Sequence, residues 1–243
     1  MGICQASSGL LHASDPPRRP SETQLAEGAG SPELALHGHN WCQIALLEVG
    51  DVAGLDAELA AYERLAEELQ RPRYRWYAHA RRAMRALLAG DLDAGERLAT
   101  QALAIGKRWG ESDAVNVRWG LMSVVWQERP SPEAAEWGRT MCRTVDAGQG
   151  RDSPLALCHH AVSTALAMTE GREEAVRAEL DHLRHLGVAR VPKSFLWAVS
   201  VVNVTPAIAR LGHSDEIVSF YNALSPYAGA NAQNSGAVTF LGS

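Results

Sequence analysis

Tyr74-Arg75-Trp76-Tyr77-Ala78-His79-Ala80-Arg81-Arg82-Ala83-Met84-Arg85-Ala86-Leu87-Leu88-Ala89-Gly90-Asp91 is the stretch whose reading decides the fold. Its apolar side chains recur at Trp76, Ala80, Ala83, Met84, Leu87 and Leu88, the 3.6-residue spacing of one helix face. Gly90 closes that helix, because a left-handed terminal residue is least costly without a Cβ. Asp91 then caps a second helix by accepting from its free amides. This second run reaches about Arg108, with Leu92, Leu98, Ala99, Ala102, Leu103 and Ile105 as its apolar stripe. A turn this short forces the two helices antiparallel.

The same pattern recurs about every 40 residues: Gly50-Asp51, Gly90-Asp91, a degenerate Arg129-Pro130, Gly171-Arg172 and Gly212-His213. Each copy follows an apolar helical run and opens another. One hairpin cannot bury both of its apolar faces, so neighbours must stack on it. Ser31-Pro32-Glu33, Ser131-Pro132-Glu133 and Ser153-Pro154 mark helix starts independently, a capping hydroxyl before a proline at the first helical position. Helices are expected over 32–49, 52–70, 73–89, 92–108, 112–128, 132–147, 154–170, 172–186, 193–211 and 214–224. The β-branched run Val199–Thr205 sits at the repeat offset of a first helix and reads as helical, with Pro206 a potential kink. The fold class is therefore all-α: a tetratricopeptide-like right-handed solenoid of about five helical hairpins.

At 243 residues the chain suffices for one extended domain. A net charge of −5 argues against direct nucleic-acid binding. No run approaches the length of a membrane span, and no secretory leader is evident. Four cysteines without framework spacing suit a reducing cytosol. Residues 1–21, rich in Ser, Pro and Gly, read as a disordered or linker stretch, and residues 22–226 as the repeat domain. Residues 227–243 read as a loop followed by an incomplete further helix beginning at Val238-Thr239-Phe240-Leu241. Solenoids need polar caps, so an apolar stub there suggests a fragment or an end covered by a partner.

The chain resembles the tetratricopeptide-like helical region in the C-terminal half of large bacterial signal-transduction ATPases, which are often fused to a LuxR-type DNA-binding domain or a cyclase domain. Pro32-Glu33-Leu34-Ala35-Leu36-His37-Gly38, Leu47-Glu48-Val49-Gly50-Asp51, Tyr74-Arg75-Trp76-Tyr77-Ala78 and Arg82 to Gly90 carry the resemblance. Pro226-Tyr227-Ala228-Gly229 and Leu241-Gly242-Ser243 extend it, so that it covers about residue 24 onward. The resemblance implies the fold strongly, and a setting in bacterial signalling or transcriptional regulation. The family's phosphate-binding loop has no counterpart: Gly106-Lys107 is followed by Arg108 and lacks the upstream glycine. ATP and DNA binding are therefore not expected, and no cofactor is called for.

Several constellations point to chemistry, each beside a plainer reading. Arg75, His79 and Arg82 share a helical stripe. They would dock an acidic peptide or phosphate, unless Glu63, Glu67 and Glu68 on the neighbouring helix neutralise them. Trp41, Trp76, Trp119, Trp126 and Trp197 all fall in first helices, which line the inner surface of such solenoids. Packing between repeats suits Trp76 and Trp126, whereas Trp41, Trp119, Trp197 and Tyr77 stand open between packing and a ligand groove. His159-His160 beside Cys158, and His182 with His185 after Asp181, have metal-ligand residue types but no convergent zinc spacing. His159, His160 and Asp181 are the candidates an enzyme would draw on, and no nucleophile elbow or Gly-rich loop accompanies them.

The sequence thus leads to a non-enzymatic interaction module with binding candidates Trp41, Arg75, Tyr77, Arg82, Trp119, His160 and Trp197. Its expected partner is a protein or peptide, acidic if the arginine stripe is used. Exposed repeat ends would also let copies self-associate. A small-ligand sensor is the alternative, and it predicts a closed apolar pocket near Trp119, His160 and Trp197.

Overall fold

A computed structural model describes residues 31–186, 195–212, 214–234 and 239–240. The expected linker 1–21, together with His213, Val238 and Leu241, lies outside these residues. The described chain is all-α apart from one short strand pair. Its helices are α1 (Pro32–Val49), α2 (Val52–Leu69), α3 (Pro72–Leu88), α4 (Leu92–Trp109) and α5 (Ala114–Glu128). They continue with α6 (Pro132–Gln149), α7 (Pro154–Thr169), α8 (Glu173–Leu186), α9 (Phe195–Leu211) and α10 (Ser214–Leu224). The helix α9 runs through Pro206.

The helix ends follow local chemistry. Ser31, Ser131 and Ser153 accept through Oγ from the amides of Leu34, Ala134 and Ala156 at 3.4, 3.1 and 3.2 Å. Each precedes a proline whose missing N–H costs the helix nothing. At Gly90 the φ angle is +80°, and the amides of Gly90 and Asp91 reach back to the carbonyls of Leu87 and Ala86 at 2.9 and 3.0 Å. Asp91 Oδ1 then accepts from the Ala94 amide at 2.9 Å. The turns at Gly50-Asp51 and Gly171-Arg172 repeat the backbone pattern. The Arg129-Pro130 copy does not: Arg129 is at φ −130°, and Ser131 restarts the chain. Gly212 also departs, with no left-handed φ.

Packing is mostly between sequence neighbours: α1 with α2, α3 with α4, α4 with α5, α6 with α7, and α7 with α8. Alternate helices also touch, α3 with α5, α5 with α7, and α7 with α9. The largest apolar cluster runs from Leu47 and Leu55 through Trp76, Met84, Leu121 and Met122 to Leu166. A second joins Val176, Leu180, Leu183, Trp197, Val204 and Phe220. The hairpin α5–α6 is the exception, since its two backbones approach closely at few points. Three indoles fill the space: Trp119, Trp126 and Trp137 lie 5.6 to 6.1 Å apart, centre to centre.

After α10 the chain makes a helical turn at Ser225–Tyr227 and a second turn through Gly229 at φ +90°, closed by the Ala230 amide on the Tyr227 carbonyl at 2.9 Å. Gln233–Asn234 (β1) pairs antiparallel with Thr239–Phe240 (β2). At Thr239 and Phe240 this stands in place of the expected helix, and a β-branched residue beside an aromatic one suits a strand better than a helix start.

Candidate binding surface

The strand pair does not hang free. The β1 strand lies against α9 and α1, and β2 lies against α5 and α3. Just before β1, Asn231 donates its backbone N–H to the Glu48 carbonyl at 2.8 Å. Its side-chain Nδ2 donates to the Leu47 carbonyl at 2.9 Å. Both acceptors are in the last turn of α1, where helix carbonyls run out of intrahelical donors; the Leu47 carbonyl also accepts from the Gly50 amide at 3.2 Å. Between them the two strands touch four of the five odd-numbered helices, and a single Asn231 hydrogen bond spans 184 residues of sequence. On the same side, Gln127 Nε2 of α5 donates to Asn203 Oδ1 of α9 at 3.3 Å.

The residues expected to bind are dispersed. Trp41, on α1, is 48% exposed. Trp119 is buried, with His159 stacked on it at 5.8 Å and 5°. Trp197 is buried in the second cluster, with the Tyr227 ring edge-on at 5.7 Å. Tyr77 is half-buried beside Trp76, 4.5 Å between rings, and burial raises its pKa. Arg82 makes a two-pronged pair with Glu63 at 2.6 and 2.8 Å, and Arg75 meets Glu67 at 3.1 Å. Arg85 closes the row on Asp56. The arginine stripe is thus laced to α2 within the protein.

His160 sits between two carboxylates. Its Nδ1 is 2.8 Å from Glu179 Oε2 on α8, and its Nε2 is 3.0 Å from Asp146 Oδ1 on α6. Burial opposes the charged ring, but the hydrogen bond and negative charge of Glu179, with the Cys142 sulfur close by, outweigh it, so the pKa rises to about 10. Two acceptors, one on each nitrogen, require both N–H groups, which is the imidazolium form. Its neighbour His159 faces the other way. It bonds the Leu155 carbonyl at 2.8 Å, and burial lowers its pKa. Asp181 pairs with Arg184 at 2.7 Å. These groups do not converge on one point. Burial pushes the Cys158 thiol up to about 12, which makes it a poor nucleophile. Among the described residues, no cluster of three or more His, Cys, Asp or Glu side chains is arranged to hold a metal.

Three features carry no signal at the sequence level. Arg81, between the arginines of the stripe, is 2% exposed and donates to the Asn40 side chain of α1. Its guanidinium lies 4.2 Å from the Tyr62 ring centre and 5.3 Å from that of Tyr77, and its Nε and Nη1 have no hydrogen-bond partner. Trp137 and Val115 border an open cleft of about 690 Å3 between α5, α6 and the start of α7, which Met141, Val145 and Leu155 also line. Trp119, His160 and Trp197 do not line it. Asn231 lies in a Gly-, Ala- and Asn-rich loop with no periodicity to flag it.

Among the described residues, no helix is long and apolar enough to cross a membrane. Compared with protein-family models, curated proteins and solved structures, the chain matches none.

Proposed function

We propose that this chain is a non-enzymatic protein-interaction module that takes an extended partner segment against its odd-numbered helices. Its hairpins stack as a tetratricopeptide-like right-handed solenoid of about five repeats, and those helices form the inner surface. One observation carries the reading: two short strands of the chain itself already lie against these helices, β1 on α1 and α9 and β2 on α3 and α5. A rigid surface of this kind loses little conformational freedom on binding. The resemblance of the repeats to the signal-transduction ATPases favours a setting in bacterial signalling or transcriptional regulation. The pairing of Arg75 and Arg82 with Glu67 and Glu63 removes the arginine stripe as a reason for an acidic partner.

Selection of displayed random peptides on the folded full chain tests the proposal. Recovered peptides should be competed off by a free peptide of residues 225–241. Recovery of no binder, or only of binders indifferent to that competitor, contradicts it. The cleft beside Trp137 favours a second reading, a small apolar ligand. Such a ligand would raise the melting temperature of the wild-type chain but not of Trp137→Ala.

A further inference from the structure

We infer that the segment around Asn231 is a displaceable strap: it occupies the binding surface in cis, and an incoming partner segment competes with it. The inference rests on the binding surface proposed above. The strap is positioned by a specific contact. Asn231 uses a backbone and a side-chain donor on the adjacent carbonyls of Glu48 and Leu47. It joins the last turn of α1 to the chain that leaves α10, so it ties the first hairpin to the final helices. Gly50 fits beneath it at φ +74°, and a Cβ there would come within 3.4 Å of Asn231 Nδ2.

The hold is nevertheless light. Of Ala228, Gly229, Ala230, Asn231 and Ala232, only Ala232 is buried. Small side chains remove little apolar surface from water. Both bonds end on carbonyls of a helix terminus, which water can satisfy once the strap leaves. Release therefore strands no buried polar group at Asn231. Among the described residues the pairing of β1 with β2 covers two residues of each strand. Its tether adds to the Asn231 contact an effective concentration in the millimolar range, roughly, for a short connection. A partner with a larger apolar contact, or with two docking points, outcompetes it. The strap then sets a threshold: weak or chance segments fail to bind.

The test uses full-length protein, wild type, Asn231→Asp and Asn231→Ala, and a fluorescein-labelled peptide of residues 225–241 as probe. Asn231→Asp is close to isosteric and turns the side-chain donor into a carboxylate facing the Leu47 carbonyl oxygen, while the backbone N–H to Glu48 stays. Fluorescence anisotropy should show at least fivefold tighter peptide binding to both variants than to wild type. The same peptide carrying Asn231→Asp should bind all three forms more weakly. Equal affinity of the unmodified peptide for all three proteins overturns the strap and leaves the binding surface standing. No binding to any of them overturns the strap, and recovery of displayed peptides that bind elsewhere then overturns the surface as well. Unchanged far-ultraviolet circular dichroism of the variants shows that the fold is retained.

Discussion

His160 carries a positive charge at neutral pH because its two ring nitrogens face Glu179 and Asp146 across three helices. A pKa raised in the folded state contributes stability that is fully present below the ring's unfolded value near 6.5. That contribution is lost as pH rises from there through about 10. The replacement His160→Gln should therefore destabilise most near pH 6, by roughly 1.5–3 kcal/mol for a charged hydrogen bond. The gap from wild type in thermal melts should narrow steadily toward pH 10. A gap that does not change with pH would show that the ring is not held as the imidazolium. Arg81 makes a second test at this scale. Among the described residues its buried charge meets Asn40 and two tyrosine rings and no carboxylate. Replacing a poorly matched buried ion by an apolar group of similar volume is often neutral or stabilising. Arg81→Met should thus melt within a few degrees of wild type or above it. Arg81→Ala, which leaves a void, should cost about 2–5 kcal/mol by denaturant titration.

Among the elements, the helices were legible in the sequence because the signals that bound them are local. Ser-Pro starts and Gly-Asp turns act within four residues, and the observed termini at Val49, Glu128, Leu186 and Leu224 coincide with the expected ones. The arginine stripe was legible as an alternative, since Glu63 and Glu67 recur on α2 with the right spacing. The splaying of α5 from α6 was not, although its cause lies in the same signal. The copy of the turn at Arg129-Pro130 lacks the glycine that closes a tight hairpin, and three tryptophans prop the gap. Where the turn is intact, helices come much closer. A Cβ on Gly106 would fall 2.5 Å from the Ala114 Cβ and 2.7 Å from the Trp76 indole nitrogen. Gly106→Ala should therefore destabilise by about 1–3 kcal/mol through overpacking, against a helix-propensity gain of roughly 1 kcal/mol. A Gly106→Ala protein more stable than wild type would mean that the α4–α5 contact is loose.

At the scale of the whole molecule, the seat of the segment around Asn231 could not be read from the sequence. Its hydrogen bonds join Asn231 to Leu47, 184 positions away, and to Glu48, and the segment that makes them has neither helical nor alternating periodicity. Small residues there look like a linker until the array supplies the seat. The helices themselves follow from a short list of local rules repeated along the chain, and the inner surface proposed above would be a consequence of their stacking. The function proposed here depends on that surface and on no single reactive group: His159, His160, Asp181 and Cys158 point in separate directions or are held inert.

The most direct test of that claim is a hydrogen–deuterium exchange footprint of the full-length Asn231→Asp protein with and without saturating 225–241 peptide. The account predicts slowed exchange in the last turn of α1 and in α3, α5 and α9, with α2 and α4 unchanged. Protection confined to α2, α4, α6 or α8, or a bound peptide that protects none of these helices, would contradict it.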